Sequence, residues 1–358
     1  MKIKLYIIFV LFAIISCQHQ QKKESTVYLG TTDKEYPPDS LFSTVNLIYL
    51  KESDSLVIGT INKIAKNESV YYLLDSKKSK SIFAFNEDGN YIARYHALGS
   101  GPEEYTSIID FDIDTIKNEI VILCSPPKLI ITDLQLSLKK EISLDGVSYD
   151  RIIVIEDDIF LFNYYDELIG KYDNNGKLAK KIPSTTKLNK GNTFHPQPVF
   201  YRLRNICLMQ SPGDDIVYKE ENGEWIDYFY IDYENKKRSM KLYAQKNEEE
   251  ITFEKKVLNP LPYIKYFFES RGKTYFVYLF GIMHYLNDGE NNFIFSELPG
   301  RSLSYHNGYL CGWEWISDFN PENLFEMINK HDATSHSEQK NTDEIDDAIV
   351  LIEYAIRK

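Results

Sequence analysis

The sequence predicts an all-β protein: a six-bladed β-propeller, closed by pairing of its N- and C-terminal strands, with one short helix inserted near the C-terminus. Three observations carry that expectation. From about residue 70 the chain repeats one phrase, in which short apolar strands alternate with polar turns. The composition is rich in rings, with 27 Tyr and 20 Phe, and rings pack well on the pleated, half-buried surface of a strand. The length of 358 residues is long for an ordinary domain but normal for a closed β toroid.

The first copy of the phrase is Val70–Asp75, Ser81–Asn86 and Tyr91–Tyr95, with Glu87-Asp88-Gly89-Asn90 as a turn. The second is Glu119–Cys124, Leu129–Asp133 and Leu138–Leu144, and the third is Ile159–Tyr164, Leu168–Asp173 and Lys177–Ile182. A fourth runs Ile206–Gln210, Asp215–Lys219 and Glu224–Ile231, and a fifth Thr274–Phe280, Ile282–Leu286 and Asn292–Phe295. Asn-Gly and Asp-Gly turns supply the positive φ angles that tight hairpins need. Equivalent points at Ile82, Leu129, Leu168, Ile216 and Ile282 are 47, 39, 48 and 66 residues apart. Propeller blades run to about 40–50 residues, so the longest gap implies an insert. That insert is placed at about 232–260, rich in Lys and Glu, with a helix-like patch at Glu248–Val257.

A sixth unit begins with Arg301–Tyr305 and Gly308–Trp315 and then changes character. Asn320-Pro321-Glu322 combines an N-cap, a proline at the first helical position and an acid near the positive end, which predicts a helix over Pro321–Lys330. Residues 331–347 are polar and expected to form a mobile loop, whereas Ala348–Ile356 (AIVLIEYAI) is too apolar for a free tail. Upstream of the first unit, Thr44–Leu50 and Ser55–Ile64 read as strands. A ring must hide its two open edges, and strands from opposite chain ends can do this within one blade. Val45–Leu50 and Ala348–Ile356 are therefore expected to complete the sixth blade together.

The first residues read as an export signal. Lys2 and Lys4 precede an apolar run, Leu5–Ser16, which at twelve residues is too short to span a bilayer and suits a signal h-region. It ends in Ile14-Ile15-Ser16-Cys17, which resembles the bacterial lipobox, and this resemblance implies lipidation of Cys17. Gln18 is not the aspartate that holds lipoproteins in the inner membrane, so the resemblance implies the outer membrane, with the leaflet left open. The expected organisation is a signal peptide over 1–16, a lipidated tether over 17–40 and a propeller over 41–358. The remaining cysteines, Cys124, Cys207 and Cys311, sit in apolar strands without CxxC spacing, and read as buried small hydrophobes.

At Gly99-Ser100-Gly101-Pro102-Glu103-Glu104-Tyr105 the chain is similar to the GxGPGEY-type segment of a family of six-bladed β-propeller lipoproteins from Gram-negative anaerobes, NHL-like in form. The signal, the place of this segment after the first blade and the apolar terminal strand all fit that resemblance. Glu103 stands where the family has a third glycine, and Asp346-Asp347 precedes the last strand where the family has Asn-Pro. The resemblance implies fold and compartment. It implies no defined activity.

Candidate site residues fall in two places. Gly99, Gly101, Pro102, Glu103, Glu104 and Tyr105 form a candidate binding loop, flanked by Arg94 and His96; the competing reading is a joint between blades one and two. Asp110, Asp112 and Asp114 alternate with Ile109, Phe111 and Ile113, so they share a strand face that could line the central channel. Such carboxylates could bind a hard cation, perturb one another's protonation, or simply form a solvated face. Trp225, Trp313 and Trp315 could stack on sugar rings or pack between blades.

No HExxH, GxSxG or P-loop is present, and the seven histidines are scattered. A formal charge of −12 opposes nucleic-acid binding. The expected function is a ligand- or protein-binding scaffold held at the outer membrane by its lipid, with a monomeric body, no cofactor, and a glycan, peptide or protein as partner. The alternative is a polysaccharide hydrolase or lyase working at the channel.

Overall fold

The computed structural model describes residues 25–51, 57–144, 146–164, 168–173, 175–183, 199–204, 206–210, 216–233, 263–280, 283–322, 324 and 348–357. The chain begins with β1 (Ser25–Leu29), β2 (Glu35–Tyr36) and β3 (Phe42–Tyr49). Blade 1 is β4 (Lys63–Asn67), β5 (Val70–Asp75), β6 (Ser81–Asn86) and β7 (Tyr91–Tyr95). Blade 2 is β8 (Ser107–Asp114), β9 (Glu119–Ser125), β10 (Lys128–Asp133) and β11 (Leu138–Ser143). Blade 3 is β12 (Arg151–Ile155), β13 (Asp158–Asn163), β14 (Leu168–Tyr172) and β15 (Leu178–Pro183). Blade 4 holds β16 (Phe200–Arg202), β17 (Cys207–Met209), β18 (Ile216–Glu221) and β19 (Glu224–Tyr233). Blade 5 holds β20 (Tyr263–Ser270), β21 (Lys273–Phe280), β22 (Met283–Asn287) and β23 (Asn292–Phe295), and the last strands are β24 (Arg301–His306), β25 (Tyr309–Trp315) and β26 (Ile349–Ile356).

Each blade is an antiparallel meander, and the ring is the six-bladed propeller that the sequence predicts. The repeated phrase captures strands two to four of each blade. It misses the innermost strands β4, β8, β12, β16 and β20, because their channel-facing positions carry Lys63, Asp110, Asp112, Arg151 and Arg202 and break the apolar run. Middle strands are buried on both faces, as in β6 and β10, because blades stack face to face. Outer strands β11 (LKKEIS) and β15 (LAKKIP) carry lysines, which discourage edge-to-edge pairing with other chains. The core accordingly divides into clusters between adjacent blades: 1 with 2, 2 with 3, 3 with 4, 6 with 1, and one that runs through 4, 5 and 6.

Closure falls in blade 6, whose strand order is β24-β25-β26-β3. β26 pairs antiparallel with β3, from Val350 opposite Tyr49 to Ile356 opposite Phe42. The amino-terminal strand starts at Phe42, three residues before the segment expected, and irregular backbone replaces the strand expected at 57–62. At the seam with blade 1, Gly89 has a φ of +73°, and a β-carbon there would meet the Tyr49 carbonyl oxygen at 2.0 Å. Only glycine fits.

One apolar strand in this seam carries a charge. Glu353 of β26 is 3% exposed and accepts from the Tyr71 hydroxyl at 2.6 Å and from Asn46 Nδ2 at 3.0 Å. Its ion-pair partner is Lys66 of β4, whose ammonium lies 4.9 Å from the Tyr71 ring centre and 4.4 Å from that of Tyr309. A lone buried carboxylate is costly, and removing one partner of such a pair costs about 3–5 kcal/mol. Blade 6 is thereby keyed to blade 1 by one salt bridge inside two aromatic rings.

Much of the segment expected as a tether over 17–40 is instead part of the folded ring. From Ser25 the chain is folded: β1 adds a parallel fifth strand to the rim of blade 4, and β2 adds one to blade 5. Val27 and Leu29 are buried there, and the Gly30 carbonyl accepts from Tyr278. Backbone pairing and two apolar side chains outweigh the polar look of the segment. Cys17 and the signal segment lie outside the described residues, as do most of the expected insert, the loop over 331–347 and the body of the Pro321–Lys330 helix. At that helix's start, Pro321 and Glu322 are helical and Asn320 Oδ1 accepts the Glu322 amide at 2.9 Å.

Removing residues 348–358 takes away Ile349, Val350, Leu351, Ile352, Tyr354 and Ile356, all buried. At about 1.5–3 kcal/mol per buried apolar side chain, the loss rivals the roughly 5–15 kcal/mol that stabilises a whole domain. The truncated chain is expected to lose its cooperative thermal transition by circular dichroism; an unchanged melting temperature would refute closure through β26.

Candidate functional site

The candidate loop joins β7 to β8 and is fixed from both sides. A parallel bridge links Leu98 to Tyr105, and the Gly99 amide donates to the Tyr105 carbonyl at 3.0 Å. Tyr105 is fully buried, with its hydroxyl donating to Lys80 O at 2.7 Å and accepting from the Ala97 amide at 3.2 Å. Burial pushes that hydroxyl up to about 12, so it stays protonated. Glu104 folds back so that Oε2 accepts the Gly101 amide at 2.7 Å. A β-carbon on Gly99 would lie 2.0 Å from that same oxygen, so the glycine makes room for the carboxylate.

Glu103 keeps the left-handed backbone of the glycine that the resemblance leads one to expect, with φ at +64°. For a residue with a β-carbon this costs about 1–2 kcal/mol. Its amide donates to Glu141 Oε2 at 2.6 Å, and Glu141 pairs with Lys128 at 2.9 Å. Burial alone would raise the Glu141 carboxyl, but Lys128 and the Glu103 amide hold it below the usual range. Leu98, Ser100, Pro102 and Glu103 remain exposed at the surface. Beside the loop, Arg94 Nε donates to Ser81 Oγ at 2.9 Å, and both Arg94 Nη2 and Ser81 Oγ lie 3.0 Å from His96 Nδ1.

Asp110 and Asp112 reach the inner ring, with period-two spacing retained beyond a bulge at Ile108/Asp110. Asp110 Oδ1 pairs with Lys63 at 2.8 Å and Oδ2 accepts the Ile152 amide at 3.1 Å. Asp112 Oδ2 accepts the Val154 amide at 2.8 Å and pairs with Arg202 at 2.6 Å. Among the described residues the inner edge of β12 has no strand partner, and two alternate carboxylates meet two of its alternate amides. Arg202 also donates to the Val154 carbonyl, so β4, β8, β12 and β16 are bound into one network. Asp114 stands apart from them, accepting the Ile116 and Lys117 amides at the turn after β8 and pairing with the Lys117 ammonium at 3.1 Å. Among the described residues no group of three or more His, Cys, Asp or Glu is arranged to hold a metal ion.

The tryptophans pack between blades. Trp313 is buried, donates to Ile61 O at 2.9 Å and meets Trp315 edge-on, while Trp225 stacks on Phe200 at 5.6 Å. Cys124, Cys207 and Cys311 are free, and burial pushes the Cys207 thiol up to about 11. Lys63, Arg202, Lys66 and Glu353 were not singled out from sequence. A signal was present for two of them: Arg202 and Glu353 are charges at strand positions whose neighbours are apolar or aromatic.

His306 of β24 completes the hub, its Nε2 lying 2.9 Å from Ile64 O and 2.8 Å from Ser304 Oγ. Burial pushes this imidazole down to about 4. An unfolded histidine titrates near 6.5, so the unfolded chain takes up the proton first as pH falls. The stability due to neutral His306 is therefore complete above about 6.5 and lost progressively towards 4, by about 3 kcal/mol. Urea midpoints measured from pH 8 to 4 should fall through this window, and His306→Gln should flatten the fall. Equal slopes in the two proteins would contradict the assignment.

Comparison with known proteins agrees with the fold. No functionally curated protein matches the chain. A protein of Bacteroides fragilis, named as inferred to be exported, superposes with a TM-score of 0.67 over 93% of this chain and 99% of its own, at 16% identity. At that identity the likeness is one of fold. A Bacteroides caccae protein of unknown function aligns over 46% of this chain and 59% of its own, with a TM-score of 0.34 and 13% identity, too low to carry an argument. The family model described as a 6-bladed beta-propeller matches residues 16–314, and with that span the chain belongs to this family.

Proposed function

We propose that the protein is an exported lipoprotein, anchored at the outer membrane through Cys17, whose rigid ring serves as a scaffold for binding a glycan, peptide or protein. The observation that carries this reading is the contrast between hub and loop. In the hub, Asp110 and Asp112 are neutralised by Lys63 and Arg202 and hold backbone amides. On the loop, Leu98, Ser100, Pro102 and Glu103 are exposed on a backbone immobilised by Tyr105 and Glu104. A surface loop fixed in advance loses little entropy on binding, which favours recognition. The hydrolase or lyase reading has weaker support, since carboxylates fixed in ion pairs and in hydrogen bonds from backbone amides are poor proton shuttles.

Export and anchoring rest on the short apolar run, the lipobox-like Ile14-Ile15-Ser16-Cys17 and the name of the Bacteroides fragilis protein. Among the described residues no helix is long and apolar enough to cross a membrane. The net charge of −12 favours partners other than nucleic acid, and the lysine-bearing outer strands favour a body that stays single.

Cells grown with labelled palmitate should label the protein, and Cys17→Ala should abolish the label; label that survives the substitution ends the lipoprotein reading. Cross-linking in intact envelopes followed by pull-down should recover a discrete partner. Recovery is expected to drop about tenfold with Glu103→Lys, the loss of one charge-assisted contact. Undiminished recovery would move the binding surface away from this loop.

A further inference from the structure

At the opposite ends of the inner strands, the turns after the first strands of blades 4 and 5 and the end of the third strand of blade 6 bring three arginines together. Arg204 follows β16, Arg271 follows β20, and Arg357 follows β26 on the closing blade. They gather around the Asn307-Gly308 turn between β24 and β25. A cavity of about 450 Å³ is lined there by Arg271, Arg357, Ser43, Asn307, Gly308 and Tyr309, among others. That volume falls in the range of small-molecule sites, about 300–1,000 Å³.

Gly308 lets Arg204 approach, since a β-carbon at this position would stand 3.2 Å from Arg204 Nη2. The backbone amide of Arg204, not its guanidinium, is what Glu269 takes, at 3.0 Å. The Arg271 guanidinium donates to the Ser40 carbonyl at 3.5 Å. Among the described residues neither the Arg204 nor the Arg271 guanidinium has an ion-pair partner. This is not for want of acid: the chain has 53 acidic residues against 41 basic ones, and its lysines pair freely elsewhere, as Lys180 does with Glu224.

A second observation lies beside the same turn. Tyr305 is 7% exposed, and its buried hydroxyl has no hydrogen-bond partner among the described residues. Burial and the Glu269 carboxylate hold this hydroxyl above its usual range, opposed by Arg204 and the Gly308 amide. Like charges held together repel, and an anion placed among them relieves the repulsion and accepts charge-assisted hydrogen bonds.

We infer that this cavity is a binding site for a compact oxyanion-bearing ligand, a carboxylate or sulfate on a molecule no larger than the cavity. The site lies at the opposite end of the ring from the Gly99–Tyr105 loop and is independent of it. Arg271 grips the anion from blade 5, Arg204 of blade 4 adds positive charge beside the Gly308 wall, and Ser43, Asn307 and Tyr309 surround the rest.

The test is calorimetric titration of the folded mature protein with sodium sulfate, glucuronate and neutral glucose at low ionic strength, with melting temperatures measured in parallel. Sulfate or glucuronate should bind and raise the melting temperature, while glucose does neither. Binding of sulfate and glucuronate alike assigns recognition to the anionic group, and tighter binding of glucuronate assigns part of it to the sugar ring. Arg271→Ala and Arg204→Ala, both on surface turns, should each weaken binding about tenfold or more without lowering the ligand-free melting temperature. Glu103→Lys should leave it unchanged. Failure of both anions to bind, or equal binding by the arginine variants and the parent, would overturn the site.

Discussion

A ring of blades has no free edge, but the chain that builds it has two ends, and β3 and β26 must meet in register before blade 6 can hold blades 5 and 1 together. Glu353 makes that register hard to miss. It stands on a strand otherwise composed of Ile, Val, Leu, Tyr and Ala, opposite Asn46 and Cys311, and within reach of Lys66 and Tyr71 on the neighbouring blade. A slip of one residue would turn the carboxylate to the other face of the sheet, away from its cation and its hydroxyl. The ion pair therefore acts mainly through what it forbids. Apolar burial supplies the favourable energy of the seam, and the charge selects one pairing among several of similar hydrophobicity.

The centre of the ring uses the same device in a different geometry. Inner strands expose amides along an edge that no further strand can cover, and an unpaired buried amide is expensive. Asp110 and Asp112 act as a substitute strand, their spacing matching that of the Ile152 and Val154 amides because both follow the pleat. Lys63 and Arg202 then balance the two charges from blades on either side.

Fold and closure were legible because they depend on periodicity. Apolar strands, Asn-Gly and Asp-Gly turns, and a terminal strand too greasy to be solvated are all local patterns. The innermost strands were less so: Lys63-Ile64-Ala65-Lys66 contains only two apolar residues, and its lysines find partners some 45 and 290 residues away. Sequence distance hides such pairs. The early strands β1 and β2 were missed for a related reason, since their parallel partners lie about 200 and 260 residues downstream. The Gly99–Tyr105 loop was found through its glycines, yet its actual anchor, Tyr105 buried against Lys80, is a contact no spacing rule supplies. The arginines around Gly308 went unnoticed because each comes from a different turn, and only the ring brings those turns side by side.

β1 lies parallel to β19, in register over five residues on the outside of blade 4, while the chain goes on past blade 5 before entering the closing blade. Tension on residue 25 along the strand axis would thus load every rung of that ladder at once, in shear, instead of unzipping the terminal strands one bond at a time. The amino-terminal strap works as a strain relief, much as a cable is clamped to its housing ahead of the solder joint, and it leaves the clasp of the ring mechanically quiet.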